Sequence, residues 1–226
     1  MKAPPCINSN KKKVYLISNR QSGDILLNLL KEIPFISEIR IGSPNIIKEM
    51  TESFLSLFDC VIYDFKDGGF QINTEKTKEI EAYIKNDGGS FLVTHDQWDC
   101  TKGPLNLIGL ERYENFPFQV CNKAKVNIFG HEIFNSYHNL KNWTMINIAP
   151  SHKTFHKIIQ DSNSNARIIM EYDFNTATDI KHDYLVVNEI GNGRIAYWAA
   201  GHTPNISSDE KLLFINIVAW LTKYKN

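Results

Sequence analysis

Two histidines stand directly behind apolar runs that have the composition of β-strands, a position from which an imidazole can take part in acid–base chemistry. His95 follows the run 91–94, and His202 follows the run 194–199 after a short Ala-Gly link. Ligands in an open α/β sheet usually bind outside the carboxyl ends of the strands. If the two side chains converge there, one could act as acid or base near neutrality, because the pKa of free imidazole is about 6.5. We therefore predict that His95 and His202 form the polar centre of a catalytic or binding site.

Four further side chains lie beside these histidines or at a third strand end, and we predict that they contact the ligand: Asp64, Asp96, Trp98 and Thr203. Asp96 could orient the imidazole of His95 or cap the next turn, since neighbouring side chains of an extended strand point in opposite directions. Trp98 could stack on a sugar or a base, or else close the core. These residue types predict a polar site that recognises its ligand through hydrogen bonds.

The sequence carries no compact motif for a metal or a nucleotide, so no cofactor is predicted. A divalent metal bound by both histidines, with Asp64 as a third ligand, is an alternative, but their spacing matches no compact metal motif. The segment 18–24 follows the first apolar run, where the amides of a helix N-terminus attract anions. This segment lacks the Gly-x-Gly-x-x-Gly pattern and the P-loop lysine, so nucleotide or flavin binding is not expected.

The charge balance and the cysteine pattern exclude several classes of protein. Lys and Arg number 25, as do Asp and Glu, so no global basic field exists to attract nucleic acid or an anionic membrane. No apolar run reaches the roughly 18 residues that span a bilayer, and the N-terminus lacks the apolar core of a signal peptide. The 4 cysteines form no Cys-x-x-Cys pair and are expected to be free thiols. We expect a soluble, cytoplasmic protein that binds neither nucleic acid nor membrane.

Short apolar runs alternate with helical patterns through the first half of the chain, which is typical of βαβ units and a parallel sheet. The predicted strands are 14–18, 37–41, 59–65 and 90–94, and the predicted helices are 22–31, 44–58 and 74–86. The second helix is predicted from Pro44 at its first position and from apolar residues at helical spacing between Ile47 and Phe58.

The periodicity fades from residue 98 to about 165, so this stretch is predicted to be an irregular elaboration on the sheet. Regular patterns return with three predicted strands, 166–172, 184–190 and 194–199. The turn Gly191-Asn-Gly193 joins the last two in a hairpin, and Ser207 with Glu210 forms a capping box that opens a closing helix. We predict a single α/β domain over residues 1–226, with a mostly parallel sheet, helices on both faces and an antiparallel C-terminal hairpin.

These features together resemble the class I glutamine amidotransferase-like fold, which is flavodoxin-like, and within it the ThuA-like trehalose-utilisation group. The resemblance rests on short segments in the expected order: Asp64 with Gly68-Gly69, residues 84–95, Gly130-His-Glu-Ile-Phe134 with Leu140, and Gly191 to His202. They span most of the chain. The resemblance implies this fold and carbohydrate-related small-molecule chemistry.

The same resemblance implies that the chain does not hydrolyse glutamine. Amidotransferases of this fold carry a nucleophilic cysteine at the elbow after the fourth strand, where this chain reads Thr94-His95-Asp96. Cys100 lies several residues further on, so the covalent route has no evident nucleophile. ThuA-like relatives also have histidine in place of that cysteine, and a polar small molecule, such as a sugar derivative, is the expected ligand.

A second function remains open from the sequence. Domains of this fold that lack the cysteine also serve as binding modules in larger assemblies, and a fold does not determine a function. The alternative is therefore a non-catalytic protein-interaction domain, with a protein partner or a homo-oligomer as the assembly. Metal-dependent hydrolysis is a third possible function.

Overall fold

Eleven strands and four α-helices are described by the structure, a computed structural model, over residues 11–18, 21–42, 50–64, 72–94, 103–112, 120–152, 156–158, 165–173, 183–200 and 205–225. The strands are β1 (Lys12–Ser18), β2 (Ile36–Gly42), β3 (Cys60–Asp64), β4 (Ser90–Thr94), β5 (Leu110–Arg112), β6 (Val120–Val126), β7 (Met145–His152), β8 (His156–Ile158), β9 (Arg167–Tyr172), β10 (Asp183–Ile190) and β11 (Gly193–Trp198). The α-helices are α1 (Gln21–Glu32), α2 (Glu52–Leu55), α3 (Thr74–Lys85) and α4 (Ser208–Leu221), and 3₁₀ helices span Pro104–Ile108 and Glu132–Asn135.

Nine strands form one sheet in the order β2-β1-β3-β4-β11-β10-β9-β6-β7. The five strands from β2 to β11 run parallel to one another, and every neighbouring pair from β11 to β7 is antiparallel. β5 and β8 pair with each other in a separate small sheet. The predicted α/β fold class is confirmed, and the antiparallel part extends well beyond the C-terminal hairpin.

The central parallel strands are covered by helices on both faces. Residues 14–17 of β1 and every residue of β3 and β4 are buried. On one face α1 contacts α4, and the ring of Phe214 in α4 stacks on Trp198 with 5.5 Å between ring centroids. On the other face α3 contacts α2 and the 3₁₀ helix 104–108, where the Leu107 carbonyl accepts a hydrogen bond from Asn188 of β10. This double cover explains why these strands are continuous apolar runs.

The second predicted helix is wrong in its extent. The described helix α2 begins at Glu52 because the hydroxyl of Thr51 accepts the backbone N–H of Phe54 at 3.2 Å and caps it there. Met50 lies outside the helix, and its carbonyl accepts a hydrogen bond from Lys76 of α3 at 3.2 Å. The start of the prediction, at Pro44, lies outside the described residues.

The middle of the chain, predicted to be irregular, contributes two long strands to the main sheet. β6 pairs with β9, and β7 pairs with β6 at the outer edge. Both strands alternate buried and exposed residues over part of their length, as in Ile146 and Ile148 of β7, which are buried around the exposed Asn147. The alternation spans only a few residues in each strand, so it is a weak signal beside the surrounding glycines and prolines.

The predicted C-terminal hairpin and closing helix are both confirmed. Gly191 adopts a φ of 57° in the turn between β10 and β11, a left-handed conformation that glycine adopts at little cost. Ser207 and Glu210 form the predicted capping box at the start of α4. With 14 residues α4 is the longest described helix, and none of the described helices is long and apolar enough to cross a membrane.

Candidate functional site

The carboxyl ends of four parallel strands lie in one row across the sheet. Each strand ends on a residue that is paired with the last residue of its neighbour: Ser18 with Asp64, Asp64 with Thr94, and Thr94 with Trp198. Three of these residues are polar although the strands they end are apolar. We call Ser18, Asp64 and Thr94 the polar row, and the loops that follow β1, β3 and β4 all begin at it.

Asp64 is the centre of the polar row and has no solvent-exposed surface. The Ser18 hydroxyl donates to its Oδ2 at 2.9 Å, and the Thr94 hydroxyl donates to its Oδ1 at 2.6 Å. Buried carboxylates persist in proteins when hydrogen bonds replace the water that they have lost. These two bonds link β1, β3 and β4 at their carboxyl ends, so Asp64 fixes the last residues of the three strands relative to one another.

The polar row includes the place where the strand order reverses. The chain passes from β1 to β2 on one side and then to β3 on the other side of β1. Such a reversal opens a crevice outside the carboxyl ends of the two strands, and ligands of open α/β sheets bind in that crevice. The hydrogen bond from Ser18 to Asp64 spans β1 and β3 at this point. The geometry of the backbone therefore favours a ligand site at this edge.

Five of the six predicted site residues lie outside the described residues: His95, Asp96, Trp98, His202 and Thr203. The strands that lead to the two histidines are described. β4 ends at Thr94, one residue before His95, and β11 ends at Trp198, four residues before His202. Because β4 and β11 are adjacent and parallel, both segments leave the same edge of the sheet from neighbouring positions. The convergence of the two imidazoles stays a prediction.

The described residues on either side of segment 201–204, which contains His202, are held by hydrogen bonds. The backbone N–H of Ala199 donates to the Tyr184 carbonyl at 2.9 Å, and the Ala199 carbonyl accepts the Tyr172 hydroxyl at 3.3 Å. Beyond the segment, the Ser207 hydroxyl accepts the N–H of residue 210 at 3.0 Å in the capping box of α4. Both flanks of the segment are therefore tied to the sheet or to α4.

A buried carboxylate, Glu210, organises the start of α4. Its Oε2 accepts the backbone N–H groups of Ser207 at 2.9 Å and Ala149 at 2.8 Å, and its Oε1 accepts the Tyr184 hydroxyl at 2.9 Å. Burial, followed by the negative charge of Glu210, raises the pKa of both Tyr184 and Tyr172 well above the usual value. Both hydroxyls therefore stay protonated and act as donors. Tyr184 fixes α4 against β10, and Tyr172 holds the Ala199 carbonyl.

Sequence reasoning left out Ser18 and Thr94 of the polar row and the buried contacts of Tyr172, Tyr184 and Glu210. Ser18 and Thr94 carry a readable signal, since each is the polar last residue of an otherwise apolar strand. The contacts of Tyr172 and Tyr184 carry no such signal, because they join elements that are far apart in the sequence. Glu210 is predicted as a capping-box residue, but its bonds to Ala149 and Tyr184 are not.

The two described cysteines are not nucleophiles. Cys60 is fully buried at the start of β3, and burial followed by the charge of Asp59 raises the pKa of its thiol far above the usual value. Cys121 is also buried, and its thiol donates to two backbone carbonyls. Both are free thiols, as predicted, while Cys6 and Cys100 lie outside the described residues. Neither described thiol could replace the cysteine that amidotransferases carry after β4.

The metal alternative is not tested by the described residues. Among them, no group of three or more His, Cys, Asp and Glu side chains could hold a metal ion. Two of the three predicted ligands, His95 and His202, lie outside that part of the chain. Asp64, the third, already accepts hydrogen bonds at both oxygens.

A cavity of about 240 Å³ lies at the opposite edge of the parallel strands, near their amino ends. Lys12 in its wall is 3.5 Å from the carboxylate of Asp59. Lys223 donates hydrogen bonds to the backbone carbonyls of Gly88 and Asn192. Because these ammonium groups already have partners within the protein, the cavity is a weaker candidate than the edge that carries the polar row.

No protein-family model and no curated protein matches the sequence. Among solved structures, a ThuA-like protein from Bacteroides uniformis ATCC 8492 is similar with a TM-score of 0.69 and 13% identity, over 97% of this chain and 95% of that chain. A cytoplasmic protein from Salmonella typhimurium LT2 has a TM-score of 0.62 and 13% identity, over 95% and 100% of the two chains. A β-galactosidase from Bacillus circulans sp. alkalophilus has a TM-score of 0.60 and 14% identity, over 94% of this chain but 31% of that chain.

These similarities show the fold of the chain. It is the ThuA-like, class I glutamine amidotransferase-like fold that the sequence resemblance predicts. At identities of 13% and 14% the likeness concerns the fold alone, so the chemistry has to be argued from the site.

Proposed function

We propose that the carboxyl-end edge of the parallel strands binds a polar small molecule, a sugar derivative in particular, with His95 and His202 as its polar centre. One observation carries this proposal: Thr94, which precedes His95, is paired in register with Trp198, four residues before His202. We expect imidazoles in segments that follow neighbouring strand ends to reach one ligand. The same two loops supply Asp96, Trp98 and Thr203.

Asp64 has an indirect part in this proposal. Its side chain is buried, and its two oxygens accept hydrogen bonds from the Ser18 and Thr94 hydroxyls. We assign it the positioning of the polar row, whose last residue, Thr94, directly precedes His95. Direct contact between Asp64 and the ligand stays a prediction.

A sugar derivative suits the residue types of the site. Sugar hydroxyls both donate and accept hydrogen bonds, which imidazole and carboxylate groups can match, and the apolar face of a sugar ring can stack on Trp98. The fold comparison points the same way, since one similar structure is named ThuA-like and another is a β-galactosidase. Because the 25 basic and 25 acidic residues balance, the overall charge of the protein does not favour a strongly charged ligand.

A thermal-shift screen tests the proposal. The wild-type protein is melted with neutral sugars, sugar phosphates and divalent metal salts, and the screen is repeated with His95→Ala and with His202→Ala. A ligand at a hundred times its dissociation constant should add about 2.7 kcal/mol to the free energy of unfolding. We expect a sugar or sugar phosphate to raise the Tm of the wild type and to have little effect on either variant.

Lys78→Ala is the matched control, because Lys78 is exposed on α3 and away from the polar row. This variant should keep the full ligand-induced shift. A shift that survives in both histidine variants would place the ligand elsewhere. A panel without any shift would contradict the ligand class and favour the protein-interaction domain.

A cytoplasmic location accompanies this proposal. One similar structure is named a cytoplasmic protein. Fractionation of cells that express the full-length protein tests the location, with the protein expected in the cytosolic fraction.

A further inference from the structure

The two outer strands of the nine-stranded sheet end it in different ways. At β7, the backbone N–H of Asn147 donates to Asp209 at 2.9 Å, and that of Ala149 donates to Glu210 at 2.8 Å, so α4 closes this edge. At the other end, β2 pairs with β1 and with no other described strand. An edge strand with outward N–H and C=O groups is a template for pairing with another chain.

The direction of the backbone groups in β2 follows from those in β1. The carbonyl of Lys13 accepts the backbone N–H of Asp59 at 2.9 Å, and the N–H of Lys13 donates to the Asp59 carboxylate at 2.8 Å. The backbone of Lys13 therefore faces the β3 side. Because bonding alternates along a strand, the even-numbered residues of β1 face β2.

Two residues of β2 consequently direct both of their backbone groups away from the sheet. Lys13 is paired with Glu38 in the parallel ladder. Because the backbone groups of Lys13 point toward β3, the N–H and C=O of Glu38 make the hydrogen bonds of this pair and point toward β1. Arg40, two residues further on, has the same orientation. The outward N–H and C=O groups are those of Ile39 and Ile41. Ser37 lies at the bulge opposite Lys12 and Lys13, where its N–H faces β1, and only its carbonyl points outward because the Glu38 N–H of the same peptide faces β1.

The side chains on either side of Ile39 are exposed and carry opposite charges. The Glu38 carboxylate is 3.2 Å from the ammonium group of Lys13, and the Arg40 guanidinium lies over the ring of Phe54 at 5.3 Å from its centroid. Along β2 the order is acidic, apolar and basic for Glu38, Ile39 and Arg40. When a second copy of this strand runs in the opposite direction, each acidic side chain can therefore lie opposite a basic one. A second copy of β2 in antiparallel orientation therefore matches the charges of the first.

We propose that the protein forms a homodimer in which β2 pairs antiparallel with β2 of a second copy, about a two-fold axis at Ile39. Ile39 then exchanges two hydrogen bonds with its counterpart, and the N–H of Ile41 of each copy donates to the Ser37 carbonyl of the other. Glu38 of each copy lies opposite Arg40 of the other at a non-hydrogen-bonded position, where cross-strand side chains are closest. A two-fold contact of this kind is self-complementary and closes at the dimer.

Neighbouring registers do not offer this match. An axis at Ser37 would set Glu38 opposite Ile36, and an axis at Ile41 would set Arg40 opposite Gly42. The charge pattern of β2 therefore selects both the occupant, a second copy of the chain, and the register.

Charge reversal tests the dimer by analytical ultracentrifugation of the full chain over a dilution series. We expect the wild type to dimerise, and Glu38→Arg and Arg40→Glu each to weaken dimerisation about tenfold or more, because two attractive pairs become repulsive. A one-to-one mixture of the two variants should dimerise again, since each then presents opposite charges to the other. Circular dichroism establishes that each variant is folded.

A backbone test separates strand pairing from any other contact at this surface. Ile41→Pro removes an outward N–H and leaves the bonds to β1 intact, since proline is tolerated on edge strands whose N–H faces solvent. We expect this variant to be monomeric and Ile41→Val, which keeps the N–H, to dimerise. A wild type that is monomeric at every concentration overturns the proposal. So does a dimer that survives Ile41→Pro, or a mixture of the charge variants that stays monomeric.

Discussion

At the scale of single residues, the polar row depends on one carboxylate that has no contact with solvent. Asp64 uses its two oxygens for hydroxyl groups on the two neighbouring strands, so a change at this position affects β1, β3 and β4 together. When one partner of a buried hydrogen bond is removed, the partner that remains is unsatisfied, and the free energy of unfolding falls. For a change at Asp64, the unsatisfied groups are the hydroxyls of Ser18 and Thr94.

We expect Asp64→Ala to lower the free energy of unfolding by about 1–3 kcal/mol, because Ser18 and Thr94 each lose an acceptor in a buried place. Asp64→Asn should cost less, since the amide oxygen still accepts from one hydroxyl and the amide N–H₂ donates to the other. Urea unfolding of the three proteins measures both effects. Equal losses in the alanine and asparagine variants would contradict this role of Asp64.

His131 is a second buried polar residue, at the start of the 3₁₀ helix 132–135. Its Nδ1 accepts the backbone N–H of Ile133 at 3.3 Å, which requires the unprotonated nitrogen. Burial, followed by the charge of Arg167, lowers the pKa of His131 below its usual value. Below about pH 6.5 the unfolded chain therefore takes up a proton that the folded protein does not, and stability falls as the pH decreases toward the folded pKa.

We expect the wild type to lose more stability than His131→Asn between about pH 7.5 and pH 5.5. Asparagine is a good N-cap residue and keeps an acceptor for the N–H of Ile133, but it does not titrate. Urea unfolding at several pH values measures the difference between the two proteins. Parallel pH profiles would show that His131 does not titrate differently in the folded and unfolded states.

At the scale of elements, the first turn of α4 caps its own helix and also closes the β7 edge. Glu210 accepts from its own N-cap residue, from Ala149 of β7 and from Tyr184 of β10. The Asp209 carboxylate accepts a hydrogen bond from the backbone N–H of Asn147, two residues before Ala149 in β7. The helix thus fastens the antiparallel half of the sheet and the far flank of segment 201–204.

We expect Glu210→Ala to lower the free energy of unfolding by about 3 kcal/mol or more, because three donors lose a charged acceptor, two of them in the core. Asp209→Ala is the matched control in the same turn, and its more exposed bonds to Asn147 should be worth about 1 kcal/mol. Chemical denaturation measures both. A loss at Glu210 no larger than at Asp209 would contradict the importance of the buried network.

The elements differ in how far the sequence could predict them. β4 has the predicted bounds, and the other parallel strands are within two residues of theirs. In β1, β3 and β4 burial on both faces demands an unbroken apolar run, whereas the edge strand β2 mixes apolar and polar residues. The second helix is predicted too long because Met50, Phe54 and Phe58 have helical spacing. In the structure Thr51 caps a helix of only four residues, which lies between Met50 and Phe58. β6 and β7 were missed because their alternation is short and part of each strand is exposed.

At the scale of the whole molecule, the sequence could indicate which edge carries the proposed site but not the groups that support this edge. Apolar runs that end in His95 and in the polar residues Asp64 and Thr94 point to the carboxyl ends of the strands. The order of β1, β3, β4 and β11, which makes those ends neighbours, depends on long-range pairing that no local pattern records. The same holds for the buried carboxylate network around Glu210.

Two edges of the sheet have separate uses in these proposals. The carboxyl-end edge carries the ligand site, and the outer side of β2 carries the contact with a second copy. Because Glu38 and Arg40 are remote from the β4 and β11 ends in the strand order, charge reversal on β2 should leave ligand-induced stabilisation unchanged. Repeating the thermal-shift screen with Arg40→Glu checks this independence, and loss of the shift in that folded variant would contradict it.

Amide hydrogen exchange with and without the sugar or sugar phosphate that raises the Tm tests the ligand site most directly. We expect the ligand to slow exchange in peptides that cover residues 95–102 and 201–204, the two segments that follow β4 and β11. Peptides at the amino-end cavity, around Lys12 and Lys223, should be unaffected. Protection confined to that cavity, with none after β4 or β11, would contradict a site at the carboxyl ends of the parallel strands.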